Sequence, residues 1–334
     1  MNQESRQKLP EDWLEFDPQA EIERITAFIR SEVSRRGAHG VMIGISGGLD
    51  STVCAYLCIR ALGVNRVHAL MLPERDSDER LHRMGHFVTQ VLGLRAREMD
   101  LTDLIDHLGL YEGLTREPMG NRKMTDRIMA ALRRLSGAPV LFSWMQAYAF
   151  GERRGLSTAL LRSRLWGYAG QVQAFILGKV RARMLVLSIQ AAHLDCLVVC
   201  TTDRSEYSIG LYDPHGDGAG DLALLRHLYK TQIRELGRAL GVPEEILTQP
   251  SSADLLAGLP NENAIGLRYE WLDRILAGIS MRLDDEAIAG RLDLRAKQVA
   301  EVRAACALAD ARRGFPVALQ PPDAPEPAVN MNHR

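Results

Sequence analysis

The chain has 334 residues, 46% of them hydrophobic and 25% charged, with a formal net charge of -1. These are the proportions of an ordinary globular protein, long enough to bury a sizeable core. The near-neutral balance excludes a dominant field for nucleic acid or a membrane surface. The opening MNQESRQKLPEDWLEFD lacks the basic start and apolar core of a secretory signal, and no apolar run is long enough to span a bilayer. A cytoplasmic protein with reduced thiols is therefore expected from the five cysteines. Cys54, Cys58, Cys196 and Cys200 lack zinc-ligand spacing and read as packing residues.

Residues 18–36 place Ile22, Ile25, Phe28, Ile29 and Val33 on one helical face. His39-Gly40 breaks that pattern, and residues 41–45 (VMIGI) follow. An apolar run of this kind suits a central parallel strand covered on both faces. A helix is expected over 52–62, a strand over 67–72, a helix over 78–92 and a short strand over 95–101. Later come a helix over 182–192, a strand over 196–201 and a helix over 230–240, ended by Gly241 and Pro243. This alternation predicts an α/β fold with a doubly wound parallel sheet.

Residues 110–177 interrupt the rhythm. They read as a helical insert with aromatic residues Trp144, Tyr148, Phe150, Trp166, Tyr168 and Phe175. Ten Lys/Arg against four Asp/Glu give the insert a local net charge of +6. It reads either as a solvated basic face or as a lid over an anionic substrate. The expected organisation is a helical entry over 1–40, the nucleotide domain over 41–109 and 178–280, the insert over 110–177, and a C-terminal helix with a Pro-rich tail over 281–334.

The most informative segment is Gly44-Ile45-Ser46-Gly47-Gly48-Leu49-Asp50-Ser51-Thr52, between a strand and a helix. Gly44, Gly47 and Gly48 let backbone approach an anion, and the helix start offers unsatisfied N–H groups. Ser46 and Ser51 can donate to phosphate oxygens. Asp50 would repel phosphate directly, so its natural role is to hold Mg²⁺ that phosphate also ligates. No Gly-Lys-Ser/Thr is present, which excludes a Walker A loop.

This loop resembles the PP-loop of the N-type ATP pyrophosphatases. Three later stretches resemble the NAD synthetase family, in its ammonia-dependent form: CTTDRSEYSIGLYDPHGDGAGD (200–221), LYKTQIRELGRALGVPEEIL (228–247) and PSSADLLAGLPNENAIGLRYEWLDRIL (250–276). GKVRARM (178–184) is similar to that family's substrate loop. The resemblance implies a Rossmann-like adenine-nucleotide fold. It also implies ATP-dependent formation of an acyl-adenylate on deamido-NAD, then amide formation with ammonia. By the same resemblance Thr201, Lys230 and Ser252 contact ATP, and Glu206 joins Asp50 on Mg²⁺. Arg183, Asp221 and Arg312 contact the substrate, and Asp50 and Lys230 carry the catalysis.

The sequence departs from the family at three places. Tyr212-Asp213-Pro214-His215 replaces Phe-Thr-Lys-Tyr, so Pro214 stands for a substrate-binding lysine. Lys179 replaces an asparagine, and Ala311-Arg312-Arg313 lacks the family's histidine. Lys179 and Arg312 are candidates to restore the missing charge. A different carboxylate acceptor is the alternative function, and a tRNA-modifying PP-loop enzyme is a further one. The resemblance implies a homodimer. With about 40 residues ahead of the loop there is no room for a glutaminase domain, so ammonia is expected free or from a separate glutaminase. No nucleic-acid or membrane partner is expected.

Overall fold

The apolar run after His39 forms the middle of a five-stranded sheet in the computed structural model, which describes residues 12–112, 164–252 and 261–312. The strands are β1 (Gly40–Gly44), β2 (Val67–Met71), β3 (Ala96–Glu98), β4 (Cys196–Cys200) and β5 (Leu222–Ala223). All are parallel, in the order β3-β2-β1-β4-β5. The chain therefore winds outward from β1 in both directions, and the C-terminal ends of β1 and β4 meet where the order reverses. That is where an open α/β sheet leaves its binding crevice.

Among the described residues, four α-helices precede the insert: α1 (Pro18–Arg35), α2 (Leu49–Leu62), α3 (Glu79–Leu92) and α4 (Thr102–His107). Val41 and Ile43 of β1 point into a core shared with Ile22, Ile29, Val53 and Leu57 of α1 and α2. Met42, on the opposite face, packs with Leu70, Phe175 and Leu187. One residue of register shift would exchange these two faces.

The expected α1 face is correct except at Phe28, which is 45% exposed, while Thr26 is buried and donates to the Glu23 carbonyl. At 3.6 residues per turn, Phe28 stands about 120° from the stripe formed by Ile22, Ile29 and Val33. Cys54 and Cys58 lie wholly buried on α2, and burial pushes the Cys58 thiol up to about 12, which keeps it a neutral packing group.

Beginning within the expected insert, α5 (Arg164–His193) is followed by α6 (Arg204–Ile209), α7 (Lys230–Leu240), α8 (Glu244–Leu247), α9 (Asn261–Ile265), α10 (Tyr269–Ser280), α11 (Asp285–Leu292) and α12 (Ala296–Arg312). α5 is one helix of 30 residues, not the 11-residue element expected over 182–192. It runs unbroken through 177/178, and GKVRARM is helical rather than a loop. Gly178 explains the closeness of its packing, because a Cβ there would collide with the Leu110 side chain. Residues 113–163 of the insert expected over 110–177 and the Pro-rich tail beyond 312 lie outside the described residues.

α7 has its expected limits, and Gly241 ends it at φ +78. The last helices form a third core around Tyr269, Leu272, Ile275, Val299 and Val302. It is joined to the sheet domain through Asp273, which is wholly buried and accepts from Ser205 Oγ at 2.6 Å and the Thr231 amide at 2.8 Å. Burial raises its pKa to about 6 against these bonds. The native state then holds a proton that the unfolded chain releases near pH 4. This contribution is fully present below that pH and is lost as pH rises through about 6. Asp273→Asn, a permanently neutral isostere, is expected to flatten that slope, worth up to about 3 kcal/mol. Urea unfolding at pH 4, 5, 6 and 7 measures it, and an unchanged slope would reject the assignment.

Candidate active site

The turn after β1 is pinned by its own hydroxyls. The Ser46 and Ser51 Oγ atoms lie 3.0 Å apart, the Gly48 amide donates to Ser46 Oγ at 3.2 Å, and Thr52 Oγ1 donates to the Gly48 carbonyl at 2.7 Å. Gln249 Nε2 holds the Gly47 carbonyl from across the cavity mouth at 2.6 Å. Gly47 has φ +77, and a Cβ there would collide with the Leu81 carbonyl oxygen of α3. α2 begins at Leu49, three residues earlier than expected, with Gly48 as an N-cap that supplies no side-chain bond. Its first-turn amides are thus left for an anion.

Behind this loop stands a cluster built from three helix starts. Asp50 is in the first turn of α2, Asp203 caps α6, Glu206 is in its first turn, and Lys230 opens α7. The Lys230 side chain is 0% exposed, and its Nζ lies 2.7 Å from Asp50 Oδ2, 2.7 Å from Asp203 Oδ2 and 3.1 Å from Glu206 Oε1. Asn261 Nδ2 and the Tyr269 hydroxyl add bonds to Glu206 Oε1 at 3.2 and 3.3 Å. Burial works to lower the Lys230 pKa, but the three carboxylates outweigh it and hold the ammonium well above its usual range. Burial and the crowding of like charges raise Asp203 to about 6 and Glu206 to about 8 against the pull of Lys230.

Three carboxylates facing one ammonium leave the site short of positive charge. Oxygens of Asp50, Asp203 and Glu206 lie within 4.8 Å of one another. Asp50 Oδ1 is buried with no hydrogen-bond partner among the described residues. An orphaned carboxylate oxygen beside two others is a donor set that fits a hard divalent cation.

A cavity of about 310 Å³ opens over this cluster, at the lower end of the size range of small-molecule sites. Gly44, Ser46, Gly48, Asp50 and Ser51 line it from the loop, and Thr201, Glu206 and Ser252 from the opposite wall. Arg183 is the sole Lys or Arg on the described wall, and it donates to the Leu72 carbonyl at 3.3 Å and to Ser77 Oγ at 3.4 Å.

Other expected residues are placed differently. Lys230 is not on the cavity wall but beneath the carboxylates it holds. Gly47 is packed against α3 rather than exposed to the cavity. Asp221 lies away from the cavity: its two oxygens accept from Arg36 Nη1 and from the Val198 amide, both at 2.9 Å, which anchors the start of β5. Those two bonds give it a structural task. The Arg312 side chain lies outside the described residues.

Lys179 also fails to supply the missing charge. It is 0% exposed and ion-paired with Glu74 at 2.8 Å and Asp76 at 3.1 Å, with Nζ 3.9 Å from the Phe175 ring centroid. Nor is Asp213, beside Pro214, free for a substrate, since Arg181 holds it through bonds of 2.7 and 3.2 Å.

Sequence reading missed Asp203 and Asp217. Asp203 had a signal, because Asp-x-x-Glu is a helix-start pattern and Asp203 Oδ1 accepts from the Glu206 amide at 2.7 Å. Asp217 lines the cavity and accepts from Thr202 Oγ1 and the Asp213 amide, and burial raises it to about 7. Its glycine-flanked position read as a turn.

A parallel sheet with a serine-glycine loop and an uncapped helix at its switch point defines a PP-loop protein of the Rossmann-like α/β class. The sequence model of NAD synthase matches residues 21–133 and 173–316, and the chain belongs to that family. It is 33% identical to an NH3-dependent NAD+ synthetase of Coprothermobacter proteolyticus over 264 residues, 78% of this chain and 84% of that one. A Thermotoga neapolitana NH3-dependent NAD+ synthetase is 34% identical over 78% of this chain and 85% of its own. A Hyperthermus butylicus NH3-dependent NAD+ synthetase is 30% identical over 95% and 94%. Among solved structures, an NH3-dependent NAD synthetase from Campylobacter jejuni shares the fold with a TM-score of 0.61 at 20% identity. It covers 92% of this chain and all of that one. An NMN synthetase from Francisella tularensis does so with 0.62 at 18% identity and the same coverage.

Proposed function

We propose that this chain is a carbon–nitrogen ligase that converts deamido-NAD, ATP and ammonia to NAD, AMP and pyrophosphate. The observation that carries the reading is the joined phosphate loop and carboxylate cluster at the mouth of one cavity, in a chain of the NAD synthase family. The substrate carboxylate oxygen attacks the α-phosphorus of ATP, and the bond to pyrophosphate breaks. Ammonia then attacks the acyl carbon, loses a proton and displaces AMP.

In this reading the first-turn amides of α2 and the hydroxyls of Ser46 and Ser51 receive the pyrophosphate group. Thr201 and Ser252 face the nucleotide from the other wall, and Arg183 faces an acidic part of the substrate. Asp50, Asp203 and Glu206 would hold Mg²⁺. Bound there, the ion would neutralise charge on the leaving phosphates. Lys230 acts by fixing those carboxylates in place rather than by touching phosphate. The reading also includes a cytoplasmic homodimer using free ammonia or ammonia from a separate glutaminase.

Asp50→Asn keeps the shape of the side chain and removes its charge. We expect pyrophosphate release to fall by about 100- to 1,000-fold or more, with the fold intact by far-UV circular dichroism. The defining assay follows pyrophosphate, AMP and NAD with ATP, Mg²⁺ and ammonium, with and without deamido-NAD. Release that requires deamido-NAD and yields NAD supports the proposal. Absence of that dependence in an ATP-binding protein overturns it. It would favour a second reading, a ligase for another carboxylate acceptor, which Pro214 and the inward-turned Lys179 motivate.

A further inference from the structure

At the edge of the nucleotide cavity two imidazoles of α3 converge on one carboxylate. His82 and His86 are four residues apart, so both project from the same side of the helix. Glu98 comes from β3, the edge strand beside it. Glu98 Oε2 lies 3.0 Å from His82 Nε2 and 3.1 Å from His86 Nε2, and the ring centroids are 4.8 Å apart. The side chains are 34%, 49% and 40% exposed, so an ion can reach them directly from solvent.

We propose that His82, His86 and Glu98 form a binding site for zinc or another late first-row divalent cation, separate from the carboxylate cluster beneath the phosphate loop. The donor set is the first argument. Two imidazole nitrogens and one carboxylate oxygen select zinc, cobalt, nickel or copper over magnesium, which prefers oxygen ligands and resists losing its waters. Spacing is the second. Tetrahedral zinc with bonds of about 2.0–2.1 Å sets neighbouring ligand atoms about 3.3 Å apart. The two nitrogen–oxygen separations of 3.0 and 3.1 Å come within a few tenths of an ångström of that edge. Two histidines at i and i+4 with a third ligand from another element also satisfy the chain-separation pattern of a three-ligand zinc site, leaving the remaining position for water. Metal binding through Nε2 requires each imidazole to carry its ring proton on Nδ1.

The site's location gives it a consequence. α3 contributes Leu81, His82 and Gly85 to the wall of the nucleotide cavity, and the Leu81 carbonyl and Gly85 amide pack against Gly47 of the phosphate loop. An ion held by α3 and β3 fastens that wall to the edge of the sheet. This holds whichever acceptor the enzyme uses.

The test is Zn²⁺ titration of the intact protein in saturating Mg²⁺, which occupies the carboxylate cluster, with Co²⁺ absorption as a second probe. His86→Gln and Glu98→Gln are the variants, since neither residue lines the cavity. The proposal expects about one Zn²⁺ per chain, a Zn²⁺-dependent rise in Tm, and Co²⁺ bands without thiolate charge transfer. Each variant should weaken Zn²⁺ binding by roughly tenfold to a hundredfold and lose the Tm rise while keeping turnover in Mg²⁺ alone. No Zn²⁺ uptake, or uptake undiminished in both variants, overturns it.

Discussion

Lys230→Met is expected to lower stability by about 3–5 kcal/mol and to abolish pyrophosphate release. The magnitude is that of removing one partner from a buried ion pair and leaving the other uncompensated. Here the partners left behind are Asp203, itself wholly buried, and the oxygens of Asp50 and Glu206 that now face Lys230 Nζ within 3.1 Å. Methionine matches the volume of the lysine stem, so a cavity contributes little to the loss. The deficit should narrow as pH falls from 8 towards about 6, because without Lys230 to hold it down Asp203 takes up its proton at a higher pH than the value of about 6 it has in the parent. Urea unfolding of both proteins at pH 5 and 8 measures this. A variant as stable as the parent at pH 8 would show that Lys230 is a surface-type phosphate contact after all.

Gly47→Ala is expected to cost about 2–5 kcal/mol and to weaken ATP binding more than tenfold. Two physical terms add. A left-handed backbone costs an L-residue about 1–2 kcal/mol, and overpacking a closed contact costs about 1–3 kcal/mol more. The atoms in the way are backbone, the Leu81 carbonyl oxygen and, at 2.6 Å, the Gly85 nitrogen, so no rotamer change relieves them. Gly48→Ala is the control. Its φ is -81, and a Cβ there would meet only Ser46 Oγ at 3.3 Å. Comparing ATP affinity and Tm for the two variants tests the argument, and equal effects would reject it.

The parts of the molecule legible in the sequence are those whose signals are local. VMIGI reads as a buried strand because an uninterrupted apolar run at that length has few alternatives, and 230–240 reads as a helix because Gly241 closes it. The phosphate loop was legible for the same reason, with glycines, hydroxyls and a helix start adjacent in the chain. What was not legible depends on distant partners. Lys230 reads as an ATP contact until α6 and α10 bury it beneath carboxylates, and Asp221 reads as a ligand contact until Arg36, 185 residues away, claims one of its oxygens. The unbroken course of α5 through Gly178 was hidden because a glycine that admits Leu110 looks like one that breaks a helix.

Lys179 has an implication for how this lineage could have changed. An ammonium with no exposure, seated between Glu74 and Asp76, cannot be exchanged singly for a neutral residue without leaving buried carboxylate charge uncompensated. Glu74, equally enclosed, would keep as donors the Tyr111 hydroxyl and the Asp76 amide, neither of which cancels its charge. The three positions are therefore heritable as a set. A descendant with asparagine at 179 should be viable only alongside a neutral residue at 74, so a library randomised at both positions should return the pairings lysine with glutamate and neutral with neutral, and few crosses between them.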